Sequence, residues 1–180
     1  MAKLMTGDSM IDFTLPATDE QTYNAHERLR NAKALAIVFT CNHCPYAQAW
    51  EDRINAIARD YAPQGVRLLA ISSNDVSRYP ADNMPNMAKR ALEKGFVFPY
   101  LYDESQIVAH AYGAERTPEF FIFDAAGKLR YHGAPDDNYE DEQAVTHHYA
   151  REALDAILAD KTVAIAETPP VGCTMKWKDS

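Results

Sequence analysis

A chain of 180 residues with 47% hydrophobic content suits one well-packed domain, residues 1–180. Its net charge of −8 argues against nucleic acid or an acidic membrane as partner, because binding phosphates needs concentrated Lys and Arg. No window has the apolar length of a membrane span, and Met1 to Asp8 lacks the apolar core of a signal peptide, so a cytoplasmic location is expected.

In chain order, Asp12–Pro16 and Asp19–Tyr23 are extended pieces around a polar turn and predict a β-hairpin at a sheet edge. Ala25–Asn31 reads as a short helix with His26 on the surface. Ala34–Thr40 is an apolar run of the kind buried in parallel sheets. Tyr46, Trp50, Ile54, Ile57 and Tyr61 then recur every three or four residues, with Gln48, Glu51, Asp52 and Asn55 opposite, which predicts an amphipathic helix. After the stop Ala62-Pro63-Gln64-Gly65, Val66–Ser72 is a second buried strand, and strand, helix and strand imply a right-handed parallel crossover. Ser73–Asn83 has no period and leaves the carboxyl end of its strand, where open α/β sheets bind ligands, so it is read as a wall or lid.

Further on, Met84, Met87, Ala88, Ala91 and Leu92 form a helical face stopped by Gly95. Phe96–Tyr102 is a strand that Pro99 demotes to an edge. Ser105–Tyr112 is a helix, with His110 lacking an evident partner. Glu119–Asp124 and Leu129–Gly133 predict an antiparallel hairpin. The acids of Asp136–Glu142 lack the glycine and terminal Glu of a calcium loop. Val145, Tyr149, Ala153, Leu154, Ile157 and Leu158 mark a last helix, with His147 and His148 on neighbouring faces. Residues 161–180 are an irregular tail, and Gly172 and Trp177 suggest that it folds back.

Two of the three cysteines stand at the junction of the first core strand and its helix, in Cys41-Asn42-His43-Cys44-Pro45. Pro45 suits the first helical turn, where an N–H has no partner. A thiol there meets the positive end of the helix dipole, which favours its thiolate. Cys41, placed at the cap, is expected to be the nucleophile, with Cys44 resolving the mixed disulfide. His43 would add a donor that favours the thiolate. Cys173 is left with three roles: a buried inert thiol, a third redox cysteine exchanging with Cys41, or an intersubunit or metal ligand.

The element order, the C-x-x-C after the first core strand and Thr117-Pro118 before the late hairpin resemble the thioredoxin superfamily. Cys41-Asn42-His43-Cys44-Pro45-Tyr46, Ser73-Asn74-Asp75, Phe98-Pro99-Tyr100-Leu101-Tyr102-Asp103 and Gly172-Cys173-Thr174-Met175-Lys176-Trp177 are similar to the peroxiredoxin-like branch of the AhpC/TSA group. The resemblance implies a thioredoxin-like α/β fold: a mixed central sheet with helices on both faces and an N-terminal β-hairpin extension. It also implies that Pro118 is a cis-proline packed against the disulfide and that Thr117 offers its backbone to an extended substrate. Arg116 stands near the place of the family's active-site arginine.

The family's peroxidatic pattern P-x-x-x-T-x-x-C is not met. With Cys44 as its cysteine, Cys41 and Ile37 take the threonine and proline places; with Cys41, these are Val38 and Ala34. Thr40 is the nearest hydroxyl to Cys41 in sequence. The leading expectation is therefore a thiol–disulfide oxidoreductase acting on protein or small-molecule disulfides and recharged by an unidentified thiol reductant, with no cofactor. The alternatives are a peroxiredoxin-like thiol peroxidase acting on peroxides, and a soft-metal protein holding Zn²⁺ or Cu(I) through Cys41, His43, Cys44 and Cys173.

Overall fold

The computed structural model describes residues 3–179. The chain opens with the antiparallel hairpin β1 (Thr14–Pro16) and β2 (Thr22–Asn24). Asn24 then caps α1 (Ala25–Leu29), its side chain accepting the N–H of Glu27. Next come β3 (Ala34–Phe39), α2 (Pro45–Tyr61), β4 (Val66–Ser72), α3 (Met84–Lys94), β5 (Tyr100–Tyr102) and α4 (Ile107–Tyr112). β6 (Arg116–Thr117), β7 (Glu119–Asp124), β8 (Leu129–Gly133), α5 (Tyr149–Leu158) and β9 (Cys173–Thr174) complete the order.

The main sheet runs β5-β4-β3-β7-β8, with β3 parallel to β4 and antiparallel to β7. Every side chain of β3 is buried, and the period of two in a strand divides them between the faces. Ala34, Ala36 and Val38 meet Trp50 and Ile54 of α2, Met87 of α3 and Leu154 of α5. Leu35, Ile37 and Phe39 meet Leu29 of α1 and Tyr112 of α4. Helices therefore cover both faces, and the thioredoxin-like architecture expected from the sequence is present. Burying each large apolar side chain contributes about 1.5–3 kcal/mol. Among the described residues no helix is long and apolar enough to cross a membrane.

Several local expectations need correction. The strand expected over 96–102 is confined to Tyr100–Tyr102, because the N–H of Phe96 closes the α3 cap on Ala91, that of Val97 bonds Asn55, and Pro99 has none. Leu92 lies on the outer face of α3, 85% exposed. Glu51, assigned to the polar face of α2, is buried because Arg90 of α3 binds its carboxylate, Nε to Oε2 at 3.0 Å. His147 and His148 precede α5: the Asp137 carboxylate accepts the N–H groups of Thr146 and His147 and keeps that segment a loop. The tail from 161 is largely irregular, yet Thr168 and Ala166 bond the backbone of His132, and β9 pairs antiparallel with β6.

Candidate active site

The ladder of β3 runs one residue past the strand, with the Thr40 N–H on the carbonyl of Ile71 at 2.8 Å, and delivers Cys41 to the carboxyl edge of the sheet. The N-cap of α2 is Cys44, with extended φ and ψ of −71° and 123°, and Pro45 follows at the first helical position. This corrects the expectation that Cys41 caps the helix. The signal was present in the sequence, since a proline favoured at the first helical position makes the residue before it the cap. Both thiols are free and buried, and they pack together with Ala47.

Of the two sulfurs, Cys44 is the one favoured as thiolate. Its thiol is pushed down to about 4, first by the hydrogen bond from Cys41, and further by Cys173, the Ala47 N–H in the first turn of α2 and Thr117, against burial. The Cys41 thiol is held well above its ordinary value because its proton bonds Cys44, because it is buried, and because the Asp82 carboxylate is near. The reduced pair thus gives up one proton readily and the second with difficulty.

Asp82 is the site residue that the sequence did not disclose. It ends a short 3₁₀ turn, Pro80–Asp82, inside the aperiodic segment read as a wall or lid, and it is fully buried. Its carboxylate accepts the N–H of Asn42 at 2.8 Å, the Asn74 amide at 3.0 Å, and Nδ1–H of His43. His43, stacked on Tyr79, thus directs its described hydrogen bond to Asp82 and not to a sulfur as expected. Asn42 is held further by Tyr100 Oη on its Oδ1 at 2.8 Å and by its amide on the carbonyl of Ala81 at 2.9 Å. An open cleft of about 370 Å³ beside His43 is lined by Asn42, Gln48, Asn86, Lys89 and Arg90.

The opposite wall is β6. The Thr117–Pro118 bond is cis. Thr117 Oγ1 lies 3.6 Å from Cys41 Sγ, and its carbonyl oxygen 3.5 Å from Cys44 Sγ. The hydroxyl beside Cys41 therefore comes from across the groove and not from neighbouring Thr40. The edge that would receive an extended substrate is already paired: Thr117 stands opposite Cys173 and Arg116 opposite Thr174. Arg116 Nη1 donates to the carbonyl of Gly172 at 2.8 Å, so its guanidinium holds the tail. Behind this wall, buried Glu119 accepts the N–H groups of Glu115 and Arg116, each at 3.0 Å, and Nε2–H of His132 at 2.6 Å.

The profile of the AhpC/TSA family matches residues 6–132. The chain belongs to the AhpC/TSA family. This AhpC/TSA chain is 40% identical to an uncharacterized conserved protein from Geobacillus kaustophilus, with a TM-score of 0.92 over 98% of this chain and 94% of that one. It is 35% identical to a hypothetical protein from Sinorhizobium meliloti 1021, with a TM-score of 0.92 over 99% and 98%. Peroxidoxin BcpB from Mycobacterium tuberculosis shares the fold at 20% identity, with a TM-score of 0.65 over 87% and 98%. Among curated proteins nothing matches.

The dithiol of this AhpC/TSA chain also brings one ligand atom each from Cys41, His43 and Asp82 within 4.8 Å of one another. Asp82 takes the place in that cluster expected of Cys44 and Cys173, and its oxygen makes the set harder than a thiolate site for Cu(I).

Proposed function

We propose that this protein is a cytoplasmic thiol–disulfide oxidoreductase in which Cys44 attacks and Cys41 resolves. The observation that carries this reading is the pair of free thiols three positions apart at the N-terminus of α2, both against the Thr117 edge. The Cys44 thiolate attacks one sulfur of a substrate disulfide; the S–S bond breaks, and the departing sulfur leaves as a thiolate that takes a proton. Cys41 then loses its proton and attacks Cys44 Sγ, the second substrate sulfur departs, and a Cys41–Cys44 disulfide remains. The substrate gains two electrons, and an external thiol returns them to the pair.

The test is disulfide reduction and peroxide consumption on one preparation. Disulfide turnover should vanish in Cys44→Ser, and the double variant Cys41→Ser/Cys173→Ser should trap substrate on Cys44. A second reading, thiol peroxidase, draws on the Thr117 hydroxyl beside Cys41, a donor such as a bound peroxide needs. Hydroperoxide turnover that outpaces disulfide reduction and disappears in either Ser variant would favour it. Metal bound stoichiometrically in the purified protein, and lost in Asp82→Asn, would favour the metal reading instead.

A further inference from the structure

The third cysteine stands where a substrate would. β9 lies antiparallel on the Thr117 edge, and its register sets Cys173 opposite Thr117 and packs it against the cluster of Cys41, Cys44 and Ala47. Gly172 makes the approach possible: a Cβ there would lie 1.9 Å from the carbonyl oxygen of Thr117 and 2.7 Å from its carbon. Beyond Cys173 the tail is fastened residue by residue. The Met175 N–H bonds Glu115 at 2.8 Å, the Lys176 N–H bonds Asn74 Oδ1 at 2.9 Å, and the Lys178 N–H bonds Gln106 Oε1 at 2.9 Å. Trp177 stacks on His110 with ring centroids 4.0 Å apart. Cys41 and Cys44 lie buried beside this strap, whereas Cys173 is half-buried, the most accessible thiol of the three.

Resting on the oxidoreductase reading above, we propose that Cys173 is a third redox cysteine that carries the disulfide from the buried pair to the surface, with β9 as its built-in substrate strand. In the oxidised chain, Cys173 as thiolate attacks Cys44 Sγ. The Cys41–Cys44 bond breaks, a Cys44–Cys173 bond forms, and Cys41 leaves as a thiolate that takes the proton Cys173 gave up. The oxidation level of the chain is unchanged, so no outside oxidant enters the step. An external thiol then attacks Cys173 Sγ and displaces the Cys44 thiolate, and a second thiol releases the reductant as its disulfide. The reduced pair restrains Cys173, since burial, the hydrogen bond to Cys44 and the negative charge on Cys44 together raise its thiol to about 11. Once Cys44 is in a disulfide that charge is gone, and Cys173 is freed to react.

The test uses Cys41→Ser protein equilibrated in a glutathione redox buffer, with disulfides mapped by mass spectrometry. An intrachain Cys44–Cys173 bridge should dominate; glutathione on Cys44 without that bridge would overturn the proposal. Adding Gly172→Ala should lower the effective concentration of Cys173 against Cys44 by roughly tenfold or more. Bridging that survives this change undiminished would overturn the role given to the strand. Cys173→Ser separates the two readings: failure to form Cys41–Cys44 in that variant counts against the oxidoreductase function itself, whereas its formation together with an absent Cys44–Cys173 bridge in Cys41→Ser counts against the relay alone.

Discussion

Two fully buried carboxylates stand on opposite sides of the dithiol, and each binds a histidine and two backbone N–H groups of a loop that carries the site. Glu119 binds the loop before Pro118, and its partner His132 is buried with it. Asp82 binds the loop between the cysteines, and its partner His43 borders the open cleft, with 29% of its side chain exposed. The same bonding pattern therefore serves two ends. Glu119 fixes the wall on which β9 lies, while Asp82 also sets a negative charge beside Cys41 that adds to the hydrogen bond to Cys44 and to burial in keeping the proton on Cys41.

The most severe way to break this comparison is Glu119→Ala, which strands His132 and two N–H groups in the interior. It should cost on the order of 3 kcal/mol or more, read from the denaturant midpoint. Asp82→Ala should cost less, about 1–3 kcal/mol, because His43 at the cleft can turn to water. A greater loss for Asp82→Ala than for Glu119→Ala would invert the roles.

Titration of the reduced protein by thiolate absorbance sharpens the contrast. The Cys44 thiolate should persist above about pH 4 and disappear as the pH falls through that value, since its thiol is depressed. In Asp82→Asn this lower step should stay, because Cys41, Cys173 and the Ala47 N–H produce it, while the raised upper step of Cys41 should move down. A shift of the lower step alone would show that the carboxylate acts on Cys44. The smallest effect belongs to His43→Ala: within about 1 kcal/mol in stability, as for part-exposed pairs, and no change in the lower titration step.

What the sequence disclosed follows the range of the interactions involved. β3 and β4 were legible as apolar runs because strands buried on both faces need no alternation, and β7 as one arm of a hairpin. α2 was legible because Trp50, Ile54, Ile57 and Tyr61 keep one helical face. Gly95 and Gly113 end α3 and α4 in left-handed conformation, at φ of 64° and 71°. Interactions that join distant segments left no such mark. Asp82 sits in an aperiodic stretch, and nothing local shows that its acceptors face Asn42 and His43, 40 and 39 positions away. Likewise Arg90 hides Glu51, and Trp177 provides the partner that His110 lacked. The two-residue strand β9 has no hydrophobic period, and its pairing depends on Gly172 meeting Thr117.

The full burial of β3 bears on how fast the parts of this site can open. Its amides lie between two hydrogen-bonded neighbours in the centre of the sheet, so their exchange with solvent deuterium requires the domain to unfold. The amides of Met175, Lys176 and Lys178 need only the tail to lift, because a few hydrogen bonds and one ring stack hold it over the groove. Amides expected to exchange slowly and fast thus meet at the carboxyl end of β3. Lifting of the tail would therefore leave the floor under the sulfurs in place.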